Sequence, residues 1–80
     1  MPSRETSLGS IQRAFLALSK IAECPSPMTP KELAQEIDTP LPTTYHLLKT
    51  LVDLGALVKL EREGYRLGPA IGALSDSYLE

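Results

Sequence analysis

This chain of 80 residues has one cysteine, one histidine, no surplus of positive charge and no long apolar run. Each shortage closes off a class of function. Cys24 alone forms no internal disulfide, and with His46 as its only companion it offers too few ligands for a structural zinc site, so it reads as a small residue near a helix end. There is no glycine-rich phosphate loop, no nucleophile with a base and an orienting partner, and no cluster of acids or histidines. The sequence therefore reads as a non-enzyme without metal or cofactor. No apolar run approaches the roughly 20 residues that cross a bilayer, and the first residues lack the apolar stretch of a signal peptide. A cytoplasmic protein with no membrane partner is expected. Eight Lys and Arg residues stand against ten Asp and Glu, a formal net charge of -2, whereas nucleic-acid modules are commonly basic overall or along one stripe. What a nucleic acid senses is the local field of one face, so this net charge still allows the cations to lie toward one face while acids such as Glu5, Asp76 and Glu80 lie elsewhere.

What is present is an ordinary soluble composition, 42% apolar and 22% charged, in a chain long enough for one small domain. Residues 1 to 9 are polar, with Pro and Gly, and read as a mobile tail. Ser10 then precedes Ile11, Ala14, Phe15, Leu18, Ile21 and Ala22, an apolar stripe at helical spacing. This predicts a helix over about 11 to 23 capped by Ser10 and ended by Pro25 and Pro27. Met28 and Thr29 form a short extended piece. Thr29-Pro30-Lys31-Glu32 is a capping box with proline in the first turn, opening a second helix of about eight residues that buries Leu33, Ala34 and Ile37.

After a turn at 38 to 42, Leu47, Leu48, Leu51, Val52 and Leu54 mark a third helix, with Leu41 as its expected cap, Pro42 as its first residue and Gly55 at its end. From Leu57 the pattern changes to strand, turn and strand: Leu57 to Leu60, Glu61 to Gly64, then Tyr65 to Leu67, a hairpin. From Ala70, Ile71, Leu74 and Tyr78 return to helical spacing, and the pattern is unfinished at Glu80. The expected fold is mainly α with a small β-hairpin, a winged helix-turn-helix: a three-helix core, a wing, and the start of a C-terminal linker helix. Three parts are expected: a flexible tail over 1 to 9, a winged helix-turn-helix domain over 10 to 69, and over 70 to 80 the start of a linker helix whose unfinished apolar face suggests a connection to something missing.

Two helices joined by a short turn form the unit whose second member enters the major groove, while the hairpin touches the flanking backbone. Rotating the third helix by 100° per residue turns Thr44, Leu47, Leu48, Leu51 and Val52 inward, and Pro42, Thr43, His46, Lys49, Thr50 and Asp53 outward with Tyr45 at the margin. Thr43, Tyr45 and His46 can donate, accept or meet a thymine methyl, and Lys49 can pair with phosphate or guanine. Free amides at the start of this helix would add to the attraction for phosphate. The candidate DNA-binding residues are thus Pro42, Thr43, Tyr45, His46 and Lys49, joined by Thr29, Lys31, Arg13 and Arg62. For each a plainer role stays open. The helix face can be merely solvated, Tyr45 can pack over the second helix, and Arg62 is flanked by Glu61 and Glu63. Lys31 and Arg13 serve DNA only if their helices face it.

Ser10-Ile11-Gln12-Arg13-Ala14, the Thr-Pro-Lys-Glu-Leu-Ala of 29 to 34, Thr43 followed by the His-Leu-Leu-Lys-Thr-Leu of 46 to 51, Gly55, and the Tyr-Arg-Leu-Gly-Pro of 65 to 69 together resemble the N-terminal domain of the isocitrate-lyase-regulator (IclR) family, over about residues 10 to 75. The resemblance implies a bacterial repressor or activator whose head is tied by a linker helix to a domain that binds a small effector. It also implies dimers or tetramers on near-palindromic operators. Where that family typically reads Ser-Thr-Val-His-Arg-Leu-Leu, this chain has Pro42-Thr43-Thr44-Tyr45-His46-Leu47-Leu48. The usual serine hydroxyl is lost at Pro42, the usual arginine fork is lost at His46, and Thr44 places a hydroxyl where an aliphatic group is usual, to be satisfied on the carbonyl one turn back. A neutral imidazole and an imidazolium differ by one phosphate-pairing charge, so affinity is expected to depend on pH through His46.

The expected partners are double-stranded DNA, a second copy of the chain, and a small effector only through the absent domain. The competing reading is a winged helix used as a protein-interaction or assembly module that reads no DNA, which the negative net charge and the missing arginine favour. A duplex-binding head loses affinity steeply with salt and an apolar interface does not.

Overall fold

Six elements follow one another along the chain in the computed structural model, which describes residues 9–62 and 64–79. They are α1 (Ser10–Glu23), α2 (Pro30–Glu36), α3 (Leu41–Asp53), β1 (Leu57–Lys59), β2 (Tyr65–Leu67) and α4 (Pro69–Leu79). This is the expected winged helix-turn-helix, with three helices packed on one another and a two-stranded antiparallel wing. Most of the expected mobile tail, residues 1 to 8, lies outside the described residues.

The start of α1 differs from expectation. Gly9, not Ser10, is the cap residue: its carbonyl accepts from the Arg13 amide at 3.0 Å, and Ser10 is already helical with no side-chain capping bond. The apolar stripe also divides. Ala17 and Ile21 are buried, Ala14 and Leu18 are half-buried, and Ile11, Phe15 and Ala22 are exposed. The apolar surface of α1 is wider than its own core can cover, so one edge is left open.

Around α2 the sequence signals hold. The Glu32 amide donates to the Thr29 hydroxyl at 3.2 Å and the Thr29 amide to the Glu32 carboxylate at 3.0 Å, with Pro30 in the first turn. Two orphan amides are thereby satisfied. Leu33 and Ile37 are buried and Ala34 is half-buried. The helix has seven residues, and its C-terminus is what shapes the turn into α3. The Thr39 amide reaches the Ala34 carbonyl (3.0 Å) and the Asp38 amide the Gln35 carbonyl (3.3 Å), with Asp38 in the left-handed region at φ 51°. That pair of bonds is a Schellman motif with aspartate where glycine is commonest.

The third helix begins one residue earlier than expected. Pro40 is its cap and Leu41 its first residue, with Pro42 still inside the first turn where a missing amide costs nothing. It ends in a second Schellman motif: Ala56 amide to Leu51 carbonyl (2.9 Å), Gly55 amide to Val52 carbonyl (3.0 Å), Gly55 at φ 81°. Leu54, expected in the apolar stripe, is the C-cap residue; it keeps helical φ and ψ and so stays on the stripe's side, but it is exposed because it lies past the last residue of the stripe that the core covers.

In the wing, Leu57 pairs with Leu67, Val58 with Arg66 and Lys59 with Tyr65. β1 stops at Lys59, one residue short of the expected strand, and the Leu60 amide closes the loop on the Gly64 carbonyl at 2.8 Å. The extended piece at Met28 becomes a third, minimal strand: it exchanges two backbone bonds with Tyr65, at 3.0 and 3.3 Å. The core gathers Ala17, Ile21, Leu33, Ile37, Leu47, Leu48, Leu51 and Leu57 with Met28 and Tyr65. The last helix starts at Pro69 rather than Ala70 and packs inward mainly through Ile71, while residues 72 to 78 are exposed. None of the described helices is long and apolar enough to cross a membrane.

Candidate nucleic-acid interface

A helix can present a recognition face only if its opposite face is anchored. In α3 the anchors are Thr44, Leu47, Leu48 and Leu51, all buried. Thr44 is fully enclosed, and its hydroxyl donates to the Pro40 carbonyl, one turn back, at 3.1 Å and lies 3.5 Å from that of Thr39. The hydroxyl thus ties the start of the helix to the turn before it. Facing away from these anchors are Pro42, Tyr45, His46, Lys49, Thr50 and Asp53, all exposed, with Thr43 half-buried. Tyr45 is 52% exposed, so its ring is neither in the core nor free of it. The outward set agrees with the helical rotation at Pro42, His46, Lys49, Thr50 and Asp53, whereas Thr43, expected outward, is half-buried and Tyr45, expected at the margin, is exposed.

The electrostatics of this face are weaker than the sequence suggests. Lys49 donates to the Asp53 carboxylate at 3.2 Å, one turn along the same helix, so the one cation of α3 is locally neutralised. Pro42 brings no amide to the first turn and the Thr44 amide bonds to the Pro40 carbonyl at 3.0 Å. The expected attraction for phosphate therefore rests on the amides of Leu41 and Thr43.

The remaining candidates separate. Arg62, in the wing loop, and Thr29, before α2, line one cleft together with Tyr45. The Thr29 hydroxyl accepts from the Glu32 amide in the capping box, which leaves its O–H as a donor. Lys31 is exposed and lines a different depression beside the helix-helix turn, with Gln35, Asp38 and Leu41. Arg13 is half-buried on α1 and lines neither cleft that borders Tyr45. The structure adds one residue that the sequence reading passed over. Lys59, exposed at the end of β1, lines both of those clefts. The signal lay in the hairpin register: the residue opposite Tyr65 shares its face of the sheet, but which residue that is depends on the loop closing at Leu60 and Gly64. Among the described residues no three His, Cys, Asp or Glu side chains gather as metal ligands.

Comparison with known proteins places this geometry. The family model of the IclR helix-turn-helix domain matches residues 10–65. The repressor BlcR of Agobacterium tumefaciens superposes with a TM-score of 0.80 at 24% identity, over 96% of this chain and 31% of that one. An IclR family transcriptional regulator from Brucella abortus gives a TM-score of 0.79 at 28% identity, over 88% of this chain and 27% of that one. The chain thus spans between a quarter and a third of the length of these regulators. The S-adenosylmethionine-dependent methyltransferase SibL also shares the fold, with a TM-score of 0.65 at 24% identity over 92% of this chain and 23% of that one. No curated protein sequence matches at a significant level.

Proposed function

Because the chain belongs to the IclR helix-turn-helix family, we propose that it is the sequence-specific DNA-binding head of a bacterial transcriptional regulator, with α3 seated in the major groove. The observation that carries this reading is the two-sidedness of α3: a buried edge of Thr44, Leu47, Leu48 and Leu51 holds it rigidly, and Thr43, Tyr45, His46 and Lys49 stand on the other side. Thr43, Tyr45 and His46 read base edges, and the wing lies along the flanking backbone. Residues 70 to 80 lead to an effector-binding domain, whose ligand shifts the spacing or population of paired heads in the cytoplasm. Pairing is supported by the open edge of α1. Phe15, Leu74 and Tyr78 are 71%, 68% and 87% exposed, and they line one apolar groove of about 560 Å³ between α1 and α4. A second copy covering that groove would set two recognition helices on one duplex.

Selection from a random pool of duplexes, with the chain dimerised through its C-terminus, tests the reading. Enrichment of an inverted repeat supports it, and substitutions at Thr43, Tyr45 and His46 should then change preference at particular base positions. If nothing is enriched even at low salt, α3 does not read DNA. The second reading, an assembly module, is favoured by the same apolar groove and by the occurrence of the fold within a methyltransferase. It requires partner binding that is insensitive to salt.

A further inference from the structure

The two clefts beside Tyr45 are parts of one trough between α3 and the wing, since Tyr45, Lys59 and Tyr65 line both. In the larger, about 380 Å³, Lys49 and Asp53 complete the polar lining and cancel one another. In the smaller, about 250 Å³, the charged groups among the described residues are Lys59 and Arg62, and no described acid lines it. Glu61 is exposed but absent from the lining, and the Glu32 carboxylate is held at the Thr29 amide. Neither Lys59 nor Arg62 has an ion pair with a described residue. The positive end of the trough is therefore the wing end, and the recognition helix contributes no net charge to it.

We propose that this end of the trough seats a phosphate of the DNA backbone, with Lys59 and Arg62 as its cationic clamp and the Tyr45 hydroxyl as a neutral donor, while Lys49 stays with Asp53. The inference rests on the reading that the chain binds duplex DNA, and it names the residues that supply the sequence-independent part of the affinity. The seat is well supported from below. Lys59 lies opposite Tyr65 in the ladder as a pair without hydrogen bonds of its own; Tyr65 is buried, and both its amide and its carbonyl are bonded to Met28. Next to it the Leu60 amide is bonded to the Gly64 carbonyl at 2.8 Å, so the backbone of Lys59 is held within the hairpin before any ligand arrives. A phosphodiester carries the charge and the acceptor oxygens that an ammonium, a guanidinium and a phenol together satisfy. From this position the contact orients the duplex against Thr43 and His46 without itself distinguishing bases.

The test uses the whole chain with two labelled duplexes, one of mixed sequence and one recovered by selection, and reads affinity between about 50 and about 200 mM salt. Lys59→Gln and Arg62→Gln should each weaken binding to both duplexes several-fold and to the same extent, and should lower the slope of log affinity against log salt by about one. Lys49→Gln should leave the slope near that of the parent. Asp53→Asn, which releases Lys49, should tighten binding and steepen the slope, a gain that misfolding cannot imitate. Far-ultraviolet circular dichroism and unfolding midpoints check that the exposed substitutions leave the fold in place. If Lys59→Gln keeps the parental slope, or Lys49→Gln loses as much slope as Lys59→Gln, the clamp is wrong while DNA binding stands. If the parent shows no salt-dependent affinity for either duplex, the DNA reading itself fails and the clamp falls with it.

Discussion

A methyl group at Gly68 would lie 2.5 Å from the carbonyl oxygen of Gly55 and 3.0 Å from the backbone of Leu57. Here the chain leaves the wing for α4 by passing hard against the end of α3. The Gly68 amide donates to the Ala56 carbonyl at 2.8 Å and the Ala70 amide to the Gly55 carbonyl at 2.9 Å. Only backbone is available to move, so Gly68→Ala should cost about 2–3 kcal/mol in urea unfolding, as overpacking does. Gly55 is constrained differently. A methyl there meets only the Ala70 side chain at an ordinary 3.6 Å, but the residue sits at φ 81°, so Gly55→Ala should cost about 1–2 kcal/mol from the left-handed conformation alone. The reverse order of the two would mean that the junction between wing and α4 is soft.

Among the elements, α2 is the one least able to form by itself, since seven residues are far below the length at which a helix persists in water. Its two capping bonds and its burial of Leu33 and Ile37 have to substitute for length. Thr29→Ala removes both the hydroxyl acceptor and the reason for Glu32 to turn back, and should lower stability by about 1 kcal/mol. Glu32→Gln preserves the reciprocal pair and should cost much less. Equal losses in unfolding experiments would show that the box contributes little. The same geometry fixes how Thr29 would meet DNA: its oxygen accepts from the Glu32 amide, so toward a phosphate it serves as a donor through its O–H.

At the scale of the whole molecule the margin is thin. Leu48 is 1% exposed and touches the meeting point of helices and wing. Leu48→Ala should remove about 2–5 kcal/mol, a large part of the stability of a domain this small. A thermal transition shifted by only a few degrees would show that the core closes around the void. On the outside, Phe15→Glu and Leu74→Glu place charges in the groove between α1 and α4, where both residues are largely exposed. Neither should unfold the monomer. Both should weaken self-association measured by sedimentation, and with it the binding of a duplex carrying two half-sites. If the parent sediments as a monomer at every concentration and the variants bind DNA unchanged, the groove is not a pairing surface.

Much of the architecture was legible because it is local chemistry. The capping box at Thr29 and Glu32, the glycine that ends α3, the rotation of α3 that buries Thr44 and Leu48, and the hairpin before Gly68 all follow from neighbours within a few residues. The hydroxyl of Thr44 could be assigned its carbonyl for the same reason. What tertiary structure alone decided was which apolar edges find a partner and which charges meet. The stripe of α1 runs past its own core at Ile11 and Phe15, and no local pattern marks where the neighbouring helices stop. Asp38 holds a left-handed turn that a glycine would have announced. Lys59 lines the clefts beside Tyr45 only because the wing loop sets its register against Tyr65, and Tyr65 is in turn bonded to Met28 from another part of the chain. Spacing along a helix or strand determines the direction of a side chain, whereas its company depends on long-range pairing that is settled when the whole domain closes.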